Sequence, residues 1–109
     1  MNLKPAPLTT EQWQTDIMGT PTSVSVSLSA NKRTAIVAIS QEPGFGSILD
    51  ASEEGVRCLL GARRDGLEDA CALSLVKYLG CQRVLLTIAM RNITQSSVRA
   101  LLVSVSEHI

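Results

Sequence analysis

Residues Thr22 to Ser29 read Thr-Ser-Val-Ser-Val-Ser-Leu-Ser, and this two-residue alternation fits an extended strand rather than a helix. Val24, Val26 and Leu28 fall on one face, and Ser23, Ser25, Ser27 and Ser29 on the other. The first face requires a core. The second is small, smooth and weakly polar, a surface suited to close contact with something else.

Strands dominate the chain on either side of this segment. Met1 to Thr10 contains two prolines and few anchors and is expected to be a flexible tail, with one domain over residues 11–109. Glu11 to Met18 alternates through Trp13, Thr15 and Ile17 as a first strand, and Gly19-Thr20-Pro21 reads as a turn or bulge before the second. Ala30-Asn31-Lys32 is a hairpin connection, with Asn the residue that tolerates a left-handed backbone. Arg33 to Ser40 is a third strand, apolar on both sides. Glu42 to Gly46 is a turn, Ser47 to Ala51 a fourth strand, Ser52 to Gly55 an acidic loop, and Val56 to Leu60 a fifth strand closed by Gly61.

The period then changes. Asp65 is a candidate N-cap with Glu68 as its reciprocal partner, and Leu67, Ala70, Cys71, Ser74, Leu75, Tyr78 and Leu79 follow helical spacing up to Gly80. Gln82 to Met90 returns to strand, again apolar on both sides. A second helix starts near Thr94 or Gln95, with Val98, Leu101, Leu102, Val105 and Ile109 as its apolar stripe and Arg99, Ser104 and Glu107 on its wet side. The order βββββαβα predicts an α+β fold, a six-stranded mostly antiparallel sheet with two helices on one face. Two strands apolar on both sides and a single helical layer leave one sheet face to be covered by another subunit.

The 109 residues suffice for one domain, with ten basic and ten acidic side chains. A formal net charge of zero lacks the Lys and Arg excess that nucleic-acid binding needs, and no apolar run approaches the ~20 residues of a membrane span. The N-terminus has no signal-peptide pattern. Cys58, Cys71 and Cys81 are odd in number and match no zinc spacing, which fits reduced thiols in a cytoplasmic protein and neither a metal nor another cofactor.

Catalytic candidates are few. His108 is the single histidine and lies next to the last residue, a frayed place to hold a general base. Gly44-Phe45-Gly46 lacks the Lys-Ser or Lys-Thr of a phosphate loop. Glu53-Glu54 and Glu68-Asp69 sit where carboxylates face water or a helix dipole. Arg63-Arg64 is an exposed basic spot that would pair with an acidic patch on another protein, or simply a solvated loop. Trp13 suits core and interface equally. No catalytic residue is assigned, and the chain is read as a non-enzymatic binding module.

Several landmarks recur in one known family. Gly19-Thr20-Pro21-Thr22 leads into the alternating strand, and Thr34 to Ile39 forms the apolar strand. Gly46-Ser47-Ile48-Leu49 returns after a tight turn, and Val56-Arg57-Cys58-Leu59-Leu60-Gly61 precedes the first helix. Val84 to Ala89 and the helical Val98-Arg99-Ala100-Leu101-Leu102 follow. In this order and spacing the chain, from about Met18 onward, resembles the proteasome assembly chaperone 3 family. The resemblance implies a six-stranded antiparallel sheet with helices on one side and no enzyme activity. It also implies pairing through the sheet with a related subunit, proteasome assembly chaperone 4, and cytoplasmic guidance of early assembly of the 20S proteasome α-ring.

On this reading Ser23, Ser25 and Ser27 form the partner interface, with the valine row facing the helices, and Phe45, Arg63 and Arg64 contact proteasome α subunits. The alternative is a small homodimeric scaffold or adaptor module for trafficking or signalling complexes, which uses the same layered architecture. Self-pairing in the absence of the partner is open on either reading.

Overall fold

The computed structural model describes residues 9–41, 46–61 and 66–109. Strands β1 (Thr9–Ile17), β2 (Thr20–Leu28), β3 (Thr34–Ser40), β4 (Ser47–Ser52) and β5 (Gly55–Leu60) precede helix α1 (Leu67–Leu79). Strand β6 (Arg83–Ala89) and helix α2 (Gln95–His108) follow. The α+β class and the order βββββαβα are those expected from the sequence. The strands form one six-stranded sheet in the order β1-β2-β3-β6-β4-β5.

Hairpins are local and form early in the chain, but β6 inserts between β3 and β4. It runs parallel to β3, from Thr34 opposite Arg83 to Ser40 opposite Ala89, and antiparallel to β4. The other neighbouring pairs are antiparallel. Helix α1 supplies the crossover that returns the chain from the β5 edge to the centre of the sheet.

Both helices pack on one sheet face. Val24 and Val26 of β2, Ala35, Val37 and Ile39 of β3, Leu49 and Ala51 of β4, and Val84, Leu86 and Ile88 of β6 are buried on that side. Cys71, Ala72, Leu75 and Val76 of α1 and Val98, Leu101 and Val105 of α2 complete the core. The valine row of β2 therefore faces the helices, as expected.

Local details depart from the sequence reading. Strand β1 begins at Thr9, so Thr9 and Thr10 belong to the sheet rather than to a tail. The first turn is Met18-Gly19, both at positive φ, and Thr20 and Pro21 lie within β2. Pro21 is tolerated because the β2–β3 ladder starts only at Ser23 opposite Ser40. In the next turn the left-handed residue is Lys32, at φ 58°. Asn31 acts through its side chain instead, accepting from the Ser29 hydroxyl at 2.7 Å and the Arg33 amide at 3.0 Å.

The N-cap position of α1 is Gly66, with no side-chain cap. Asp65 lies outside the described residues. Glu68 accepts from the Ser47 hydroxyl at 3.2 Å, tying α1 to β4. Gly80 ends α1 in the left-handed conformation, as its type predicts. Thr94 caps α2 through a capping box with Ser97.

Candidate functional site

Alternation within each strand places the remaining side chains on the face away from the helices. One register row carries Thr10, Ser27, Ile36, Leu85, Asp50 and Arg57. The next carries Gln12, Ser25, Ala38, Thr87, Ile48 and Leu60. A third carries Gln14, Ser23, Ser40 and Ala89. No element among the described residues covers this face.

The face is divided lengthwise. Its centre and β5 side are apolar: Ile36, Leu59 and Leu60 are 44%, 52% and 49% exposed, and Ile48 and Leu85 are half-buried between their neighbours. Its β1–β2 side is neutral and polar. There Gln12, Gln14, Ser23, Ser25, Ala38 and Ser40 line a shallow, open hollow of about 410 Å³. The small serine and alanine side chains make the floor, and the two glutamines of the edge strand make the wall.

One charge cluster interrupts the apolar half, since Asp50 and Arg57 share the row of Ile36 and Leu85. Arg83 donates from Nε and Nη2 to the two carboxylate oxygens of Asp50 at 2.7 and 2.8 Å. Arg57 approaches the same carboxylate at 3.6 Å. The Arg83 hydrogen bonds are the main cause that holds the Asp50 carboxyl below the usual carboxylate range; desolvation opposes them, and the Arg83 charge and Arg57 reinforce them. The same contact raises the Arg83 pKa. A bidentate pair of this kind fixes both side chains flat along the sheet.

Ser23, Ser25 and Ser27 lie together on this open face, Ser23 exposed and the other two half-buried. Ser27 is engaged with Thr10 through a hydroxyl pair at 3.0 Å. Phe45, Arg63 and Arg64 lie outside the described residues. The sequence reading did not name Ile36, Ile48, Leu60 and Leu85 as site residues. Their signal was present in the strands that are apolar on both sides, but only the sheet order shows that they adjoin.

On the helix side, Trp13 is half-buried and joins β1 to α2. Its indole Nε1 donates to the Ser104 hydroxyl at 2.8 Å. Its ring stacks on His108 with centroids 4.3 Å apart and planes 3° apart. His108 is thus held in the last turn of α2, its Nδ1 2.9 Å from the Ser104 carbonyl oxygen, rather than frayed. Ser104, expected on the wet side, is buried because it meets the indole.

All three cysteines are free, and burial pushes the Cys71 thiol up to about 12. Among the described residues no group of His, Cys, Asp and Glu could hold a metal, and no helix is long and apolar enough to cross a membrane. No protein-family model and no curated protein matches this sequence.

Proposed function

We propose that the chain is a non-enzymatic assembly chaperone that pairs through its open sheet face with a related, proteasome assembly chaperone 4-like subunit and promotes early assembly of the 20S proteasome α-ring in the cytoplasm. The observation that carries the pairing is the apolar band Ile36, Ile48, Leu60 and Leu85 on a sheet face that has no layer above it among the described residues. A sheet from another chain, stacked about 10 Å away, would bury this band as the helices bury the opposite face.

The assembly role rests on the family resemblance of the ordered landmarks. The serine row Ser23, Ser25 and Ser27 lets a partner backbone approach closely beside the apolar band. Phe45, Arg63 and Arg64 are proposed to meet α subunits. The chaperone acts by differential affinity for the correct ring neighbours, which needs no covalent chemistry.

Affinity purification from cells with identification of the bound chains tests the reading. The expected result is recovery of a related small subunit together with α-type proteasome subunits. Ser25→Arg places a long cation on the open face and should abolish recovery of the small subunit while thermal unfolding stays unchanged. Recovery of membrane-traffic or kinase-scaffold proteins in place of α subunits would replace the proteasome role with that of an adaptor. Full retention of the partner by Ser25→Arg would remove the open face from the pairing.

A further inference from the structure

Strand β1 forms one edge of the sheet, and among the described residues no strand pairs with its outer side. Ile17 and Thr20 close the two-residue turn Met18-Gly19, and a pair in that position exchanges both of its main-chain hydrogen bonds. Counting back by twos, Thr15, Trp13, Glu11 and Thr9 bond inward to β2. The amides and carbonyls of Thr10, Gln12, Gln14 and Asp16 therefore point away from the sheet. The far side of β2 obeys the same parity, since the Ser29 amide donates across to the Thr34 carbonyl at 3.0 Å.

The two edges of the sheet differ. Strand β5 has six residues, a register irregularity against β4 near Leu59, and an exposed Arg57, all of which blunt an edge. Strand β1 has nine residues in unbroken register and contains no Lys, Arg, Pro or bulge. Such an edge is a template for a further strand.

The sequence of β1 states which strand. Thr9 to Ile17 reads Thr-Thr-Glu-Gln-Trp-Gln-Thr-Asp-Ile, with Gln12 and Gln14 placed symmetrically about Trp13. We infer that β1 pairs antiparallel with β1 of a second copy of this chain, about a two-fold axis at Trp13. In that register Gln12 lies opposite Gln14, Glu11 opposite Thr15 and Thr10 opposite Asp16. No like charges oppose one another, and each carboxylate faces a threonine.

The outward-pointing groups fall on Thr10–Asp16 and Gln12–Gln14 pairs, so the full strand length contributes about eight main-chain hydrogen bonds. The glutamines continue the wall of the hollow from one copy into the next. A two-fold axis perpendicular to the sheet keeps both helical layers on one side and leaves both open faces free, so this contact is independent of the pairing proposed above.

Residue-resolved hydrogen exchange on the purified chain at low and high concentration tests the inference, with sedimentation as the companion measurement. The amides of Gln12 and Gln14 are expected to exchange about tenfold more slowly, or slower still, in the concentrated sample. Gln14→Pro deletes one outward donor without touching the β1–β2 ladder, and should be monomeric with an unchanged circular dichroism spectrum. Ser25→Arg should self-associate as the unaltered chain does. A monomer at high concentration would overturn the inference. So would equal exchange of the Gln12 and Gln14 amides at both concentrations, or undiminished self-association of a folded Gln14→Pro.

Discussion

Trp13 and His108 stack face to face, 4.3 Å between ring centroids and 3° between planes, and so tie the first strand to the last helical turn. The contact joins the edge strand of the sheet to the element that covers its β1 side, and the Ser104 hydroxyl beneath it receives the indole N–H. Removing one partner from this cluster tests how much of the docking of α2 depends on it.

Trp13→Phe keeps an apolar ring but deletes the donor to buried Ser104. Urea unfolding is expected to show a loss of about 1 kcal/mol, the usual net contribution of such a hydrogen bond. His108→Ala should cost less than Trp13→Phe, because the imidazole is exposed. In a double-mutant cycle of Trp13→Ala with His108→Ala the two losses should not add, since the side chains are in contact. Additive losses would show that the stack contributes nothing.

The Asp50–Arg83 pair makes stability depend on acid. Asp50 is held below its ordinary value of 3.8, chiefly by the Arg83 hydrogen bonds, so the folded state favours the ionised carboxylate. The contribution is therefore fully present above the unfolded value and is lost as the pH falls from there through the folded one. Asp50→Asn should lower stability by roughly 0.5–1 kcal/mol at neutral pH, the range of a well-formed exposed pair. Its unfolding curve should converge with that of the unaltered chain at the acid end. Curves that stay parallel at all pH values would remove the pair from the acid response.

Gly46 lies where a Cβ would collide with the main-chain carbonyl of Ile88, in the central strand β6. Backbone cannot step aside as a side chain can, so Gly46→Ala should destabilise by about 1–3 kcal/mol or more. Gly66 has nothing near the same virtual atom and a φ of −83°, and Gly66→Ala should remain within about 0.5 kcal/mol. Thermal unfolding of the two variants side by side checks the contrast.

Thiol labelling reports on core integrity. With its pKa pushed to about 12, Cys71 presents a thiolate fraction on the order of one in ten thousand at pH 8. Burial also raises Cys81. Neither should react with a maleimide in the native state over the time in which both react fully in urea. Rapid native labelling of Cys71 would mean that α1 opens from β4 far more often than a packed core allows.

The elements that could be read from the chain are those with a local cause. The alternation of Val24, Val26 and Leu28, the helical spacing of Val98, Leu101 and Val105, and Gly80 as a helix stop are written within a few residues of where they act. Side-chain period and backbone freedom act at that range, so the six strands, the two helices and their order follow from composition and spacing alone.

Tertiary structure decided what depends on residues far apart. That β6 lies between β3 and β4 follows from the α1 crossover, which carries the chain from the β5 edge back to the middle of the sheet. Ser104 is buried because Trp13, 91 positions away in the chain, offers it a donor, and no helical period carries that information. The apolar band of Ile36, Leu85, Ile48 and Leu60 exists only once strands from four parts of the chain stand in register, since a surface is a property of neighbours in space and not of neighbours in sequence.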